Sequence, residues 1–198
     1  MKLVVASGNA GKLREFSALL APLGFELVAQ SDLGVGEADE PHPTFIENAL
    51  AKARHASLAT GLPALADDSG ICAAALDGAP GVFSARYAAM LDGGARDDAR
   101  NNAKLVERLA SHADRRAHYY CALVMLRRGD DPEPLIGEGR WHGEVIALPR
   151  GTGGFGYDPH FWLPQFGCTA AELPLERKNQ VSHRAIALRA LCERIQAA

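Results

Sequence analysis

The chain reads as an α/β protein built on a mixed β-sheet, and three features carry that reading. A short apolar run, Leu3 to Ala6, is followed by Leu13, Phe16, Leu19, Leu20 and Leu23 at helical spacing. Strand-like and helix-like segments go on alternating after it. Two long strand-like segments, 117–127 and 135–148, are joined by the turn Gly129-Asp130-Asp131-Pro132.

The elements follow in order. After the first strand and helix, Glu26 to Gln30 suggests a second strand, and an acidic, proline-bearing loop covers 31–43. Thr44, with Glu47 three residues on, forms a capping-box pattern in which Glu47 reaches back to the Thr44 backbone N–H, and Ala-rich helical sequence runs to about Thr60. Pro63 to Ala66 reads as a short strand ending at Asp67-Asp68-Ser69-Gly70, which puts the carboxylates at the rim of the sheet. The glycine-rich segment 76–94 is irregular, and Ala99, Ala103, Val106, Leu109 and Ala110 mark a further helix. Ser182 caps a closing helix whose inner face is Ala187, Leu188, Leu191, Cys192 and Ile195. No repeat or linker interrupts residues 1–198, which are expected to form a single domain.

A length of 198 residues suffices for one sizeable domain or two lobes on a shared sheet, and 47% hydrophobic with 23% charged residues is ordinary for a soluble globular chain. A net charge of -3 argues against broad nucleic-acid binding. The cysteines, Cys72, Cys121, Cys168 and Cys192, lack zinc-ligand spacing and read as buried thiols of a reducing compartment. No apolar run reaches transmembrane length and the N-terminus is too short of apolar residues for a signal peptide, so a cytoplasmic protein is expected.

The first turn, Ser7-Gly8-Asn9-Ala10-Gly11-Lys12, is not a P-loop, because GxxxxGK[ST] requires glycine where Ala6 stands and Ser or Thr where Leu13 stands. Its physics still suits an anion: free backbone N–H groups and the positive helix end converge, Ser7 and Asn9 add donors, and Lys12 adds a mobile charge. A plain strand–turn–helix with solvated polar side chains is the alternative. GTGGFG at 151–156 matches the dinucleotide fingerprint by letter, but Asp158-Pro159 follows where a helix must open. What remains is backbone able to approach a ligand closely, with Phe155 and Tyr157 able to stack on a flat ring, or else a glycine-rich connection with two core aromatics.

Adjacent carboxylates repel unless a cation or hydrogen-bond network holds them, so Asp67-Asp68 suggests Mg²⁺, which combines one or two carboxylates with phosphate oxygens and water. A capping Asp turn is the competing reading. Glu40 and Glu47 are both placed to supply the other carboxylate; Glu40, with no structural task, is favoured. Lys178, His183 and Arg184 form a basic group near the start of the last helix, where the dipole works against them; they are either functional or merely solvated.

Taken together, SGNAGK at 7–12, TFIENA at 44–49, ADDSG at 66–70, GAPGVFSARY at 78–87, GTGGFGYDP at 151–159 and SHR at 182–184 resemble the inosine/xanthosine triphosphate pyrophosphatase family over essentially the whole chain. The resemblance implies two lobes around a long, twisted mixed sheet with flanking helices and a central cleft, a homodimer, and Mg²⁺-dependent removal of non-standard purine nucleoside triphosphates. It implies that Ser7 to Lys12 (Ser7, Gly8, Asn9, Ala10, Gly11, Lys12) hold the triphosphate and that Asp68 is the catalytic carboxylate and a metal ligand; Glu40 as the other metal carboxylate comes from the reading of the acidic loop above and not from the resemblance. Ser69 then touches the substrate, while Phe155, Gly156, Tyr157, Asp158, Lys178, His183 and Arg184 surround the base and sugar.

The chemistry expected is attack of water on the α-phosphorus with Asp68 taking the proton, and Lys12 with the backbone N–H groups stabilising the leaving pyrophosphate. Selectivity follows from the base edge: hypoxanthine and xanthine offer a 6-keto acceptor and an N1–H donor, which adenine reverses. A donor from Arg184 or His183, with Asp158 or a backbone carbonyl facing N1–H, would be left unpaired against adenine. A pyrophosphatase for pyrimidine or modified nucleotides, as in the Maf-like proteins, and a nucleotide sensor without turnover are the rival readings.

Overall fold

The computed structural model describes residues 1–7 and 10–197; Gly8 and Asn9 of the first turn lie outside the described residues. The strands are β1 (Lys2–Val5), β2 (Glu26–Ala29), β3 (Ala64–Ala73), β4 (Arg116–Leu126), β5 (Leu135–Val145), β6 (Phe161–Leu163) and β7 (Cys168–Thr169). The helices are α1 (Ala10–Leu20), α2 (Phe45–Thr60), α3 (Tyr87–Asp92), α4 (Asp98–Leu109), α5 (Leu175–Val181) and α6 (His183–Ala197). The strands make one open, twisted sheet in the order β2-β1-β3-β4-β5-β6-β7. It is mixed: β1 runs parallel to β2 and β3, with Val4 opposite Val28 and Ala64, whereas β5–β6 and β6–β7 are antiparallel.

The expected α/β class is the observed one, with differences that have local causes. β3 does not stop at Ala66; it runs on to Ala73, so Asp67-Asp68-Ser69-Gly70 lies within the strand and not at its end. The strand tolerates Asp67 and Asp68 because each carboxylate has its own side-chain partners, and Gly70 lies close against Gly81 and Ser84. Thr44 caps α2 as expected, accepting from Glu47 N at 3.3 Å, but the Glu47 carboxylate takes the Thr44 hydroxyl at 2.6 Å instead of its backbone N–H. Leu19, counted on the inner face of α1, is 40% exposed, since it lies off the stripe formed by Leu13, Phe16, Leu20 and Leu23. Only Cys121 is fully buried; the other three cysteines are half-buried thiols, and none is in a disulfide.

The chain divides into two compact units. The first gathers Met1–Asp68, Cys121–Gly139 and Arg184–Ala198; the second gathers Ser69–Tyr120 and Arg140–His183. The core of the first is built from Leu3, Val5, Phe16, Leu20, Leu65, Leu123 and Leu191. The inner face expected for α6 is there too, with Ala187, Leu188 and Leu191 buried and Cys192 and Ile195 packed at the margin. The core of the second holds Ile71, Tyr87, Leu105, Tyr119, Trp141 and Phe161. On β5 the pattern alternates cleanly, with Trp141 and Val145 inside and Glu138, Arg140, His142 and Glu144 outside.

Candidate active site

In the first unit the site is organised by β3. Successive strand residues face opposite sides, so Asp67 and Asp68 do not share an environment. Asp67, only 3% exposed, receives Lys12 Nζ from α1 at 2.9 Å and lies 3.8 Å from Arg184 Nε of α6, whose Nη1 reaches Glu15 Oε2 at 3.2 Å. Burial alone would push the Asp67 carboxyl up, but Lys12, Arg184 and Lys52 together hold it well below the usual carboxylate range. The repulsion expected between the two carboxylates is thus answered by cations: Lys12 and Arg184 beside Asp67, Lys52 beside Asp68, with the Lys52 charge felt by both.

Asp68 faces α2. Asn48 Nδ2 donates to Oδ2 at 3.3 Å, and Lys52 Nζ lies 3.3 Å from Oδ1 and 2.7 Å from Glu40 Oε1. Burial raises the Asp68 carboxyl; Lys52 and Asn48 work against that and Glu40 adds to it, leaving the group above its ordinary value. Burial disfavours charge on Lys52, but Asp68, Asp67 and Glu40 outweigh it and keep the ammonium protonated. One cation therefore bridges Glu40 and Asp68. That donor set fits a divalent ion: two carboxylates converge on one positive centre, and Mg²⁺ typically takes its remaining ligands from substrate phosphate and water. Among the described residues no group of three or more His, Cys, Asp or Glu could hold a metal by itself. Of the two glutamates, Glu40 shares Lys52 with Asp68, whereas Glu47 is engaged at the cap of α2.

Asn48 and Lys52 were not singled out from sequence. They stand four apart, and so on one face, of an alanine-rich helix that buries Ala49, Ala53 and Ala56. An amide and an ammonium on such a face are the signal that could have found them. Of the first turn, Ser7, Gly11 and Lys12 are half-buried at the β1–α1 junction. Ser69 follows within β3, half-buried, as the first residue of the second unit.

The second unit holds a separate cluster. Asp158, buried, accepts from the Phe155 N–H at 2.9 Å and from Lys178 Nζ; burial first, and then the Asp158 charge, push the Tyr119 phenol well up. Gly154 allows this closeness: a Cβ there would sit 2.1 Å from Asp158 Oδ2. Phe155 is 61% exposed, with Lys178 Nζ 5.0 Å above its ring, a cation–π arrangement. Tyr157 is not beside it as a second exposed ring; it belongs to the core and donates its hydroxyl to Ser84 O at 2.8 Å. His183 stacks on Tyr119 with centroids 4.7 Å apart and planes 10° from parallel, and Trp141 lies to the side, 6.4 Å from both rings. Lys178, His183 and Arg184 are not one basic group. Lys178 joins Asp158, His183 joins the aromatics, and Arg184 belongs to the ion pairs of the first unit. Adjacency in sequence hid this, because neighbouring residues at the start of a helix point about 100° apart.

An open mixed sheet with a strand–turn–helix at its first strand, and an inner strand carrying a carboxylate paired to a cation, defines an α/β protein with an acidic, cation-seeking site. The chain belongs to the Ham1 family, whose model matches residues 3–194. It is 68% identical over 192 residues to the dITP/XTP pyrophosphatase of Nitrosomonas europaea, covering 97% of this chain and 93% of that protein. It is 66% identical over 195 residues to the dITP/XTP pyrophosphatase of Ralstonia nicotianae, covering 98% and 96%. The solved structure of a HAM1 protein from Coxiella burnetii superposes with a TM-score of 0.94 at 46% identity, covering 100% of both chains. No helix among the described residues is long and apolar enough to cross a membrane.

Proposed function

We propose that this chain hydrolyses the non-standard purine nucleoside triphosphates ITP, dITP and XTP to the monophosphate and pyrophosphate, clearing them from the nucleotide pool. The observation that carries the chemistry is the Lys52 ammonium bridging Glu40 and Asp68. It is joined to relatives named dITP/XTP pyrophosphatase that are similar over nearly the full length. Glu40 and Asp68 are the residues assigned to a divalent cation, Mg²⁺. When bound, such an ion neutralises phosphate charge and lowers the pKa of a coordinated water.

Asp68 takes the proton of the water that attacks the α-phosphorus, and its raised pKa suits it to accept one. Lys12 and the backbone N–H groups of Ser7 to Gly11, with Gly8, Asn9 and Ala10 among them, hold the triphosphate and stabilise charge on the leaving pyrophosphate. Ser69 contacts the substrate beside Asp68. Phe155, Gly156, Tyr157, Asp158, Lys178, His183 and Arg184 take the base and sugar, Phe155 by its exposed face. The working protein is assigned as one domain over residues 1–198, a homodimer, cytoplasmic, with no nucleic-acid partner.

The test is product analysis with ITP, XTP, GTP and ATP, each with and without Mg²⁺. Pyrophosphate from ITP and XTP only, lost on chelation, is the expected result, and Asp68→Asn should lower turnover by about 10²–10⁴-fold. Orthophosphate, or no product, would overturn the assignment.

A further inference from the structure

The loop 151–156 carries three glycines at positive φ, Gly151 (79°), Gly154 (73°) and Gly156 (59°). A run so rich in glycine has many backbone states to lose, and holding one of them needs specific restraints. Two side chains of α4 supply restraints at Gly156. Asp98 Oδ2 accepts the Gly156 N–H at 2.9 Å, and Asn102 Nδ2 donates to the Gly156 carbonyl at 2.8 Å. Standing four apart, the two residues share one helix face, and Asn102 Nδ2 also donates to the Asp98 backbone carbonyl at 2.8 Å. Both polar groups of a single glycine are thus gripped by one helical turn.

The grip is made against the preference of Asn102 itself. With Nδ2 facing two carbonyls, the amide cannot turn over, and its Oδ1 is buried with no hydrogen-bond partner among the described residues. An unpaired buried oxygen costs free energy, so a gain elsewhere must offset it. The flanking residues show what is aimed. Tyr157 is anchored in the core through Ser84, while Phe155, its own N–H held by Asp158, projects an exposed ring beneath Lys178. Fixing the peptide groups on both sides of Phe155 fixes the direction of its side chain.

We propose that Asp98 and Asn102 are positioning residues that set the direction in which Phe155 projects for stacking on the purine base, and so govern base affinity and not the chemical step. The proposal rests on the assignment of Phe155 to the base. Three variants test it in the full chain: Asn102→Asp, which replaces the donor facing the Gly156 carbonyl with an acceptor; Asp98→Ala; and Asp98→Asn, whose amide oxygen still accepts. The affinities for inosine 5′-monophosphate and for pyrophosphate are taken by calorimetry, beside KM and kcat for ITP.

The expected result is weakening of monophosphate affinity and a rise in KM by about tenfold in Asn102→Asp and Asp98→Ala. Pyrophosphate affinity holds, kcat stays within about twofold, and Asp98→Asn recovers most of the loss. A merely structural role would weaken both ligands together, which overturns the proposal, as does unchanged monophosphate affinity in both disruptive variants. Wild-type protein that binds the monophosphate but releases no pyrophosphate from ITP sinks the pyrophosphatase reading alone. Failure of wild type to bind the monophosphate sinks both.

Discussion

Asp67 and Asp68 are chemically identical neighbours whose environments drive them apart. Asp67 is buried against Lys12 and Arg184, with the Lys52 charge acting from farther off, and is held below the carboxylate range; Asp68 is buried with weaker compensation and is raised from its ordinary value. The strand's two-residue period is the cause, because it hands one side chain to α1 and α6 and the other to α2. Asp67 is therefore the structural member of the pair. Asp67→Asn takes the counter-charge from half-buried Lys12 and leaves buried Arg184 with Glu15, and should cost about 3 kcal/mol of stability at pH 7. A folded-state pKa below the unfolded one contributes stability that is full above the unfolded value and is lost as pH falls through the folded one. Denaturant unfolding of wild type and variant in chelator should thus show a gap that narrows from pH 7 to pH 3. A gap equal at both pH values would mean that Asp67 is not held by these cations.

At the scale of elements, β3 and its packing decide most of what surrounds the site. Gly70 cannot be replaced without displacing its neighbours: an added Cβ would lie 2.4 Å from Gly81 O and 2.4 Å from Ser84 Oγ. Ser84 Oγ also receives Ile71 N at 2.9 Å and donates to Gly81 O at 2.6 Å, so the contact is with a hydrogen-bonded turn that has little room to move. Gly70→Ala should destabilise the protein by about 1–3 kcal/mol, read as a lower denaturation midpoint; an unshifted midpoint would mean that the turn yields freely. This close approach brings ADDSG against GAPGVFS, although nothing in either stretch says that they meet. Long periodic elements were legible: α2 with its Thr44 cap, α4, α6, and the strands β4 and β5. The continuation of β3 was not, since Asp, Ser and Gly are depleted in strands and their partners come from distant helices. β6, β7 and α5 are too short for periodicity to register. For the candidate site, residue identities were legible in motifs, but Lys52, Asn48 and Tyr119 matter through directions that only the fold assigns.

For the whole molecule, the decisive fact is where the two units exchange chain. The divisions fall at 68/69, 120/121, 139/140 and 183/184. Three of these lie inside β3, β4 and β5, and the fourth lies within the first turn of α6, between His183 and Arg184. Flexible linkers normally mark boundaries between independently folding domains, and none of the four places is a linker. The first unit is moreover assembled from three separated stretches, so its core of Leu3, Leu65, Leu123 and Leu191 forms only when distant segments meet. Melting of one unit would have to end in the middle of a hydrogen-bonded strand, at a cost in backbone pairing that disfavours a half-folded state. Scanning calorimetry should accordingly show one transition, with calorimetric and van't Hoff enthalpies in agreement. Removing a buried side chain from either core, Leu123→Ala in the first or Phe161→Ala in the second, should lower that one transition by the equivalent of about 2–5 kcal/mol without splitting it. Two resolved transitions, of which each variant moved only its own, would show two folding domains and would overturn the single-domain assignment.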